Sequence, residues 1–285
     1  MTDASTKWRT ALQTLRQNGR IALADWPADT IAPEQLGLKA EGAFLSMPER
    51  VRLYDEGYLD GQLKQVDATA TLRLFDAVDS TNTAMIRDAQ THGVGGHIYV
   101  AEFQTAGRGR RGRDWIGDFG RNVAMTVGFS FQRQLSDLGG LSCVAGLALI
   151  QVLENLGVKA QLKWPNDVWF EDKKLAGILV ELIQTPRGAS AVIGIGMNVD
   201  LSPEQTSMID QAVVGLRALN VAIAREDLVV AIYDALSVNL TFFAQEGFAR
   251  FVPAFDAVHR LHDSSAVLSS GNSKREGRVR GVDQD

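Results

Sequence analysis

The stretch from Ala160 to Asp200 constrains the fold most. It contains three strand-like runs, "AQLKWPNDVWF", "EDKKLAGILVELI" and "ASAVIGIGMNV", joined by tight turns. Upstream, "TLRLFDAV" alternates like a strand and runs into "STNTAMIRDAQ", a helix with Ser80 and Thr81 as cap candidates. "HIYVAE" and "NVAMTVGFSF" add two more strands, and the spacing predicts helices over about 137–156, about 225–245 and around Phe251. Strands interspersed with helices in this way favour an α+β fold built on a mixed sheet.

The ends are different in kind. Trp8, Ala11, Leu12 and Leu15 recur at helical spacing behind Ser5 and Thr6 as caps, with Gly19 past the helix end. From Ile21 to Asp67 the text is irregular, with Pro27, Pro33 and Pro48, and is assigned to turns, short helices and a connection. The last stretch, 263–285, offers short strand candidates, "SAVL" and "REGRVRGV", that read as the opening of a small β module. The expected domains are therefore 1–67, 68–262 and 263–285.

At 285 residues and 45% hydrophobic composition, the chain can bury a substantial core. Its formal net charge of -5 argues against a broadly basic nucleic-acid surface, so any polyanion contact must be local. The single cysteine, Cys143, excludes an internal disulfide. The polar start "MTDASTKWRT" lacks an apolar signal core, and the expected address is cytoplasmic. "LSCVAGLALIQVL" is too short and interrupted to span a bilayer and reads as a buried helix; no membrane partner is expected.

One local cationic patch stands out. "QTAGRGRRGRDW" sets Arg108, Arg110, Arg111 and Arg113 among Gly107, Gly109 and Gly112. Such glycines bring backbone N–H groups close to an anion, while the arginines add bidentate donors for phosphate or carboxylate. No Gly-Lys-Ser/Thr closes the loop, so it is not a P-loop, and an exposed nucleic-acid patch is the competing reading. In "KWPND", Pro165 and Asn166 mark a turn with Lys163 and Asp167 at its ends. Lys174 precedes the apolar run "LAGILV" and is poised to reach into a pocket, although solvated surface charge is the default for any lone lysine. Gly194-x-Gly196 lacks the third glycine of a dinucleotide fingerprint, leaving a ligand approach, a bulge or close packing. His259 and His262 form the only close histidine pair, and no metal-ligand set is apparent. No Gly-x-Ser-x-Gly elbow supports a serine hydrolase.

Taken in order and spacing, "DSTN" (79–82), "QTAGRGRRGRDW", "KWPNDVWFEDKKLAGILVE" and "IGIGMN" resemble the bacterial biotin protein ligases, from about Leu72 to the end. The resemblance implies a mixed sheet with helices packed on one side and a small SH3-like C-terminal domain. It also implies two reactions: biotin and MgATP give biotinyl-5′-AMP, and the biotinyl group then passes to one lysine of the biotin carboxyl carrier protein of acetyl-CoA carboxylase. By matching positions, Ser80, Thr81, Asn82, Gln104, Arg108, Gly109, Arg110 and Lys174 hold biotin, with Gly177, Gly194 and Gly196 shaping the pocket. Arg111, Arg113, Trp115, Lys163, Asn166 and Asn198 fall where the family binds nucleotide, and Asp167 where it binds nucleotide and magnesium. Arg110, Lys163, Asp167 and Lys174 are the expected catalytic group, with Asp167 also a candidate base for the acceptor lysine.

Departures from the family pattern lie at the ends. "STKWRTALQTLRQNG" resembles the recognition helix of the winged-helix repressor module that many members carry, yet the two preceding helices are absent from the text. "ADWPADTIAPEQLGLKAE" replaces the wing, while "GAFLSMPE" resembles its exit. Operator DNA is therefore not an expected partner, and the resemblance leaves room for a homodimer. The SH3-like module reads as cut short after "RVRGVDQD". The rival readings are a biotin-responsive DNA-binding repressor with weak ligase activity and a lipoate or octanoate transferase; "KWPND" and "KLAGILVE" with the arginine loop favour biotin.

Overall fold

A computed structural model describes residues 3–28, 30–48, 51–185, 188–270 and 273–283. The chain opens with helix α1 (Asp3–Asn18), so Ser5 and Thr6 lie inside the first turns rather than capping them. Ala11, Leu12 and Leu15 are buried as their spacing predicts, and Trp8 meets Trp26 edge-to-face. The next segment is more ordered than expected. Strands β1 (Arg20–Ala22), β2 (Lys39–Glu41) and β3 (Phe44–Ser46) form an antiparallel sheet in the order β1-β3-β2. Helix α2 (Glu56–Val66) follows, capped by the Asp55 side chain, which accepts from the Tyr58 amide.

The main body alternates β4 (Thr71–Phe75), α3 (Thr81–His92), β5 (His97–Ala101), β6 (Val123–Phe131) and α4 (Leu141–Asn155). The expected strand runs then appear as β7 (Gln161–Lys163), β8 (Asp167–Phe170), β9 (Lys173–Thr185) and β10 (Gly188–Met197). They are followed by α5 (Pro203–Met208), α6 (Arg225–Glu246), α7 (Val252–Val258) and the hairpin β11 (Ser265–Ser270) and β12 (Ser273–Arg278). The helix expected from 137 begins later. A 3-10 turn over 135–138 precedes Gly140, whose φ of +74 breaks the run before α4 starts.

Seven strands form one mixed sheet in the order β4-β5-β6-β10-β9-β8-β7, with only β4 and β5 parallel. Side chains alternate across a strand, so each strand feeds two layers. Ile98, Val100 and Ile193 enter the large core with α4 and α6. Tyr99 and Val192 point the other way, to Ala84 and Met85 of α3. Helices α4 and α6 thus cover one face, whereas α3 departs from the one-sided expectation and occupies the opposite face. The stretches 135–155 and 225–246 are long and apolar enough to cross a membrane by length and composition. Here they pack on each other and on the sheet.

The N-terminal elements are keyed to this body. Phe119 is buried in their apolar cluster beside Leu12, Leu36 and Leu45. Tyr54, Leu59 and Leu63 belong to the main core, upstream of the boundary expected at 68. Between the two clusters, Glu102 accepts from the Tyr54 amide at 2.5 Å and pairs with Arg225 at 2.7 Å. Burial raises the Glu102 carboxyl above its usual range, and the guanidinium of Arg225 opposes that shift.

Candidate functional site

The face carrying α3 also carries a cleft of about 1520 Å³, and every site residue expected from the sequence lines it. Its floor is β10. Gly194 and Gly196 follow Val192 at alternate positions and so point to the same face. Of the alternatives open for these glycines, close packing is the one observed. A methyl group on Gly194 would lie 2.2 Å from Asn82 Oδ1, and one on Gly196 would lie 2.2 Å from Trp115 Cε2. Gly177 on the neighbouring strand admits Lys174 Cε and Trp115 Cζ3, each 3.2 Å from where its methyl would be.

At one end of the cleft, the start of α3 is fixed by side chains from the sheet. Ser80 holds the N-cap position but makes no capping bond through its side chain, and Gln104 Oε1 instead accepts from the Thr81 amide at 2.9 Å. Thr126 Oγ1 donates within a buried cluster that holds Asn82 Oδ1 at 2.7 Å and Thr81 Oγ1 at 2.8 Å. Asn82 Nδ2 donates to the Leu179 carbonyl and to Glu181 Oε2. Glu181 also pairs with Arg108 at 2.9 Å. Thr126 and Glu181 escaped sequence reasoning. Glu181 carried a readable signal, since it shares the cleft face with Gly177 and Leu179 at spacings of four and two.

The arginine loop starts beside that cluster, where Arg108 meets Glu181, and closes on itself with Arg110 reaching toward Asn166. Trp115 donates its amide to the Gly107 carbonyl at 2.9 Å, and Gly109 donates to Arg113 at 2.7 Å, making a short stem. A methyl group at Gly107 would sit 2.3 Å from the Trp115 carbonyl oxygen, so this strand of the stem needs glycine. The tip turns through Arg111 at φ 57. Arg110 Nη1 reaches Asn166 Oδ1 at 3.4 Å. Arg111 and Arg113 have no ion-pair partner among the described residues, leaving two guanidinium groups for an anion in the cleft.

Lys163 and Asp167 are direct partners across the turn through Pro165 and Asn166. Lys163 Nζ lies over the Trp169 ring at 4.1 Å, while Asp167 Oδ1 pairs with Lys174 Nζ at 2.8 Å. Asn166 holds the turn to β9 by donating to the Ile178 carbonyl, and Asn198 Nδ2 donates to the Lys174 carbonyl. The segment 208–213 forms a further wall, joined to β9 where Lys174 bridges Val213. The C-terminal hairpin contributes Val267, Arg275 and Arg278 to the rim. Cys143 also lines the cleft, but burial pushes its thiol up to about 11, so it remains a neutral thiol rather than a nucleophile. His259 is buried beside Phe255 with neither ring nitrogen bonded, and His262 lies 4.0 Å from Asp263.

Comparison with known proteins agrees with this geometry. The model of the biotin/lipoate A/B protein ligase family matches residues 74–198, the span from the end of β4 through the cleft floor. The bifunctional ligase/repressor BirA of Escherichia coli is 31% identical over 264 residues, covering 92% of this chain and 78% of that protein. The biotin–(acetyl-CoA-carboxylase) ligase of Mycobacterium tuberculosis is 36% identical over 184 residues, 59% of this chain and 67% of the relative. Among solved structures, the biotin protein ligase of Aquifex aeolicus in complex with biotin and ATP superposes with a TM-score of 0.60 at 26% identity, covering 75% of this chain and 88% of that one. The chain belongs to the biotin/lipoate A/B protein ligase family.

Proposed function

We propose that this chain is a biotin protein ligase, which makes biotinyl-5′-AMP from biotin and ATP and passes the biotinyl group to a lysine of the biotin carboxyl carrier protein of acetyl-CoA carboxylase. One observation carries the reading. The residues matched to biotin and those matched to nucleotide line a single cleft and meet at the 2.8 Å Lys174–Asp167 pair. Relatives named for this activity, and a related structure holding both biotin and ATP, support it.

The chemistry needs this charge pattern. In the first step a biotin carboxylate oxygen attacks the α-phosphorus and pyrophosphate leaves. Two unit charges about 4 Å apart repel by roughly 4 kcal/mol at an effective dielectric near 20. Arg110, Arg111, Arg113 and Lys163 offset that repulsion from fixed positions, and their effect grows as charge builds at phosphorus. Lys174, held on Asp167, directs its ammonium toward the carboxylate end. The stem-closed loop shields the mixed anhydride from water.

Among the described residues, no group of three metal-ligating side chains is gathered. Asp167 is the residue that would hold a magnesium ion brought with ATP, a carboxylate oxygen being the hard donor such an ion takes. Magnesium bound there would supply neutralisation of phosphate charge.

In the second step the acceptor lysine nitrogen attacks the anhydride carbonyl carbon, AMP leaves and the ammonium proton must already be lost. At pH 7.4 a lysine of pKa about 10.4 is roughly 0.1% neutral, a cost of about 4 kcal/mol. Asp167 is the candidate carboxylate for orienting that ammonium or accepting its proton, the alternative to its role beside magnesium. The test is pyrophosphate release from the purified chain: it should require both biotin and magnesium. Release without biotin, or with lipoate in place of biotin, would reject the assignment.

A further inference from the structure

Gln205 is fully buried, yet neither reaction step above uses it. A buried amide costs stability unless every group is bonded, so a glutamine where leucine or methionine would pack directs attention to its partners. Both ends are engaged. Nε2 donates to the Ile116 carbonyl at 3.0 Å, and Oε1 accepts from Asn122 Nδ2 at 2.9 Å. Asn122 in turn accepts from the Val199 amide at 2.9 Å, next to Asn198 on the cleft. The Gln205 amide is fixed by Ser202 Oγ at 2.9 Å, the N-cap of α5.

These bonds join two walls that are distant in sequence. Ile116 directly follows Trp115, whose indole lies across Gly196 and Gly177 and whose backbone closes the stem of the arginine loop. Helix α5 runs directly into the 208–213 wall, which is tied to β9 because the Lys174 backbone amide donates to the Ala212 carbonyl at 2.9 Å. A single side-chain amide thus fastens the exit of the arginine loop to the element that carries the opposite wall.

We propose that Gln205 is a positioning residue for retention of the adenylate: by holding the Ile116 carbonyl it seats the Trp115 indole on the sheet, so that the arginine loop and the 208–213 wall close over the adenylate as one unit. The inference rests on the ligase reading above. It concerns retention of the intermediate rather than affinity for biotin, because the biotin-side contacts around Asn82 and Gln104 share no bond with Gln205.

Gln205→Met keeps the side-chain volume and removes the amide. The complex with biotinyl-AMP should release its ligand about tenfold faster or more, while the Kd for biotin without ATP stays within about twofold of wild type. Gln205→Glu, which offers the Ile116 carbonyl no amide donor, should act in the same direction. Ser202→Ala is the control: it loosens the α5 cap and lowers Tm without touching Ile116, and its release rate should match wild type. Wild-type release from both Gln205 variants, or equally fast release from Ser202→Ala, would overturn the inference while leaving the ligase reading intact. A wild-type protein that forms no biotinyl-AMP would overturn the ligase reading itself, and with it this inference.

Discussion

Gly194 and Gly196 give a prediction that separates the two halves of the cleft. They lie two residues apart on one strand and one face, yet each admits a different side chain, Asn82 over Gly194 and Trp115 over Gly196. Gly196→Ala would place a methyl carbon 2.2 Å from Trp115 Cε2 and 2.5 Å from Cζ2. Carbon atoms rest at about 3.5–4.0 Å, so the indole must retreat by roughly 1.3 Å or more. Forced repacking of this kind costs about 1–3 kcal/mol. With an unfolding entropy of roughly 0.6 kcal/mol/K for a chain of this size, Tm should fall by about 2–5 °C. The functional effect should be larger, because a displacement of about 1 Å beside reacting groups can cost up to about 100-fold in rate. Gly196, matched with Gly194 to the biotin pocket, lies under Trp115, which is matched to nucleotide, so Gly196→Ala should raise the ATP concentration needed for adenylation and slow the step more than it weakens biotin binding by calorimetry. Gly194→Ala should do the converse, displacing Asn82 and weakening biotin binding before ATP is added. If both variants impair biotin binding equally, or if both keep wild-type kinetics, the two side chains do not divide the cleft as described.

Lys174→Ala should weaken biotin binding measured without ATP more than Lys163→Ala, since Lys174, paired with Asp167, is matched to biotin while Lys163, lying over Trp169, is matched to nucleotide; equal losses would contradict that division. Arg110→Gly should retain adenylation, because Arg111 and Arg113 remain to meet phosphate, but should release biotinyl-AMP and label bystander lysines. Mass spectrometry of an added bystander protein reads this directly, and a variant that neither leaks nor loses biotin affinity would show the role to be misassigned.

The central sheet was legible because its strands are long and bounded by turn residues: the turn at Pro165 and Asn166 does pair Lys163 with Asp167. Strands β1 to β3 were hidden because three residues carry no periodicity, and the prolines and glycines between and around them read as loop. The start of α4 was expected too early, at about 137, because its apolar pattern takes in Leu138, while Gly140 sets the helix start by backbone geometry rather than polarity. The placement of α3 on the cleft face could not be read from its own sequence, since which side a helix takes depends on Tyr99 and Val192, residues of strands that lie far apart in the chain. Most of the candidate site was readable as motifs. What the motifs did not reveal was how the residues are held: Thr126, Glu181 and Gln205 act through long-range hydrogen bonds that no local spacing encodes.

The most direct measurement is the intact mass of a purified biotin carboxyl carrier domain after incubation with this protein, biotin, magnesium and ATP. The account predicts a gain of one biotinyl group on one lysine, dependent on both biotin and ATP. An unchanged carrier mass, with the protein folded and biotin bound, would contradict it.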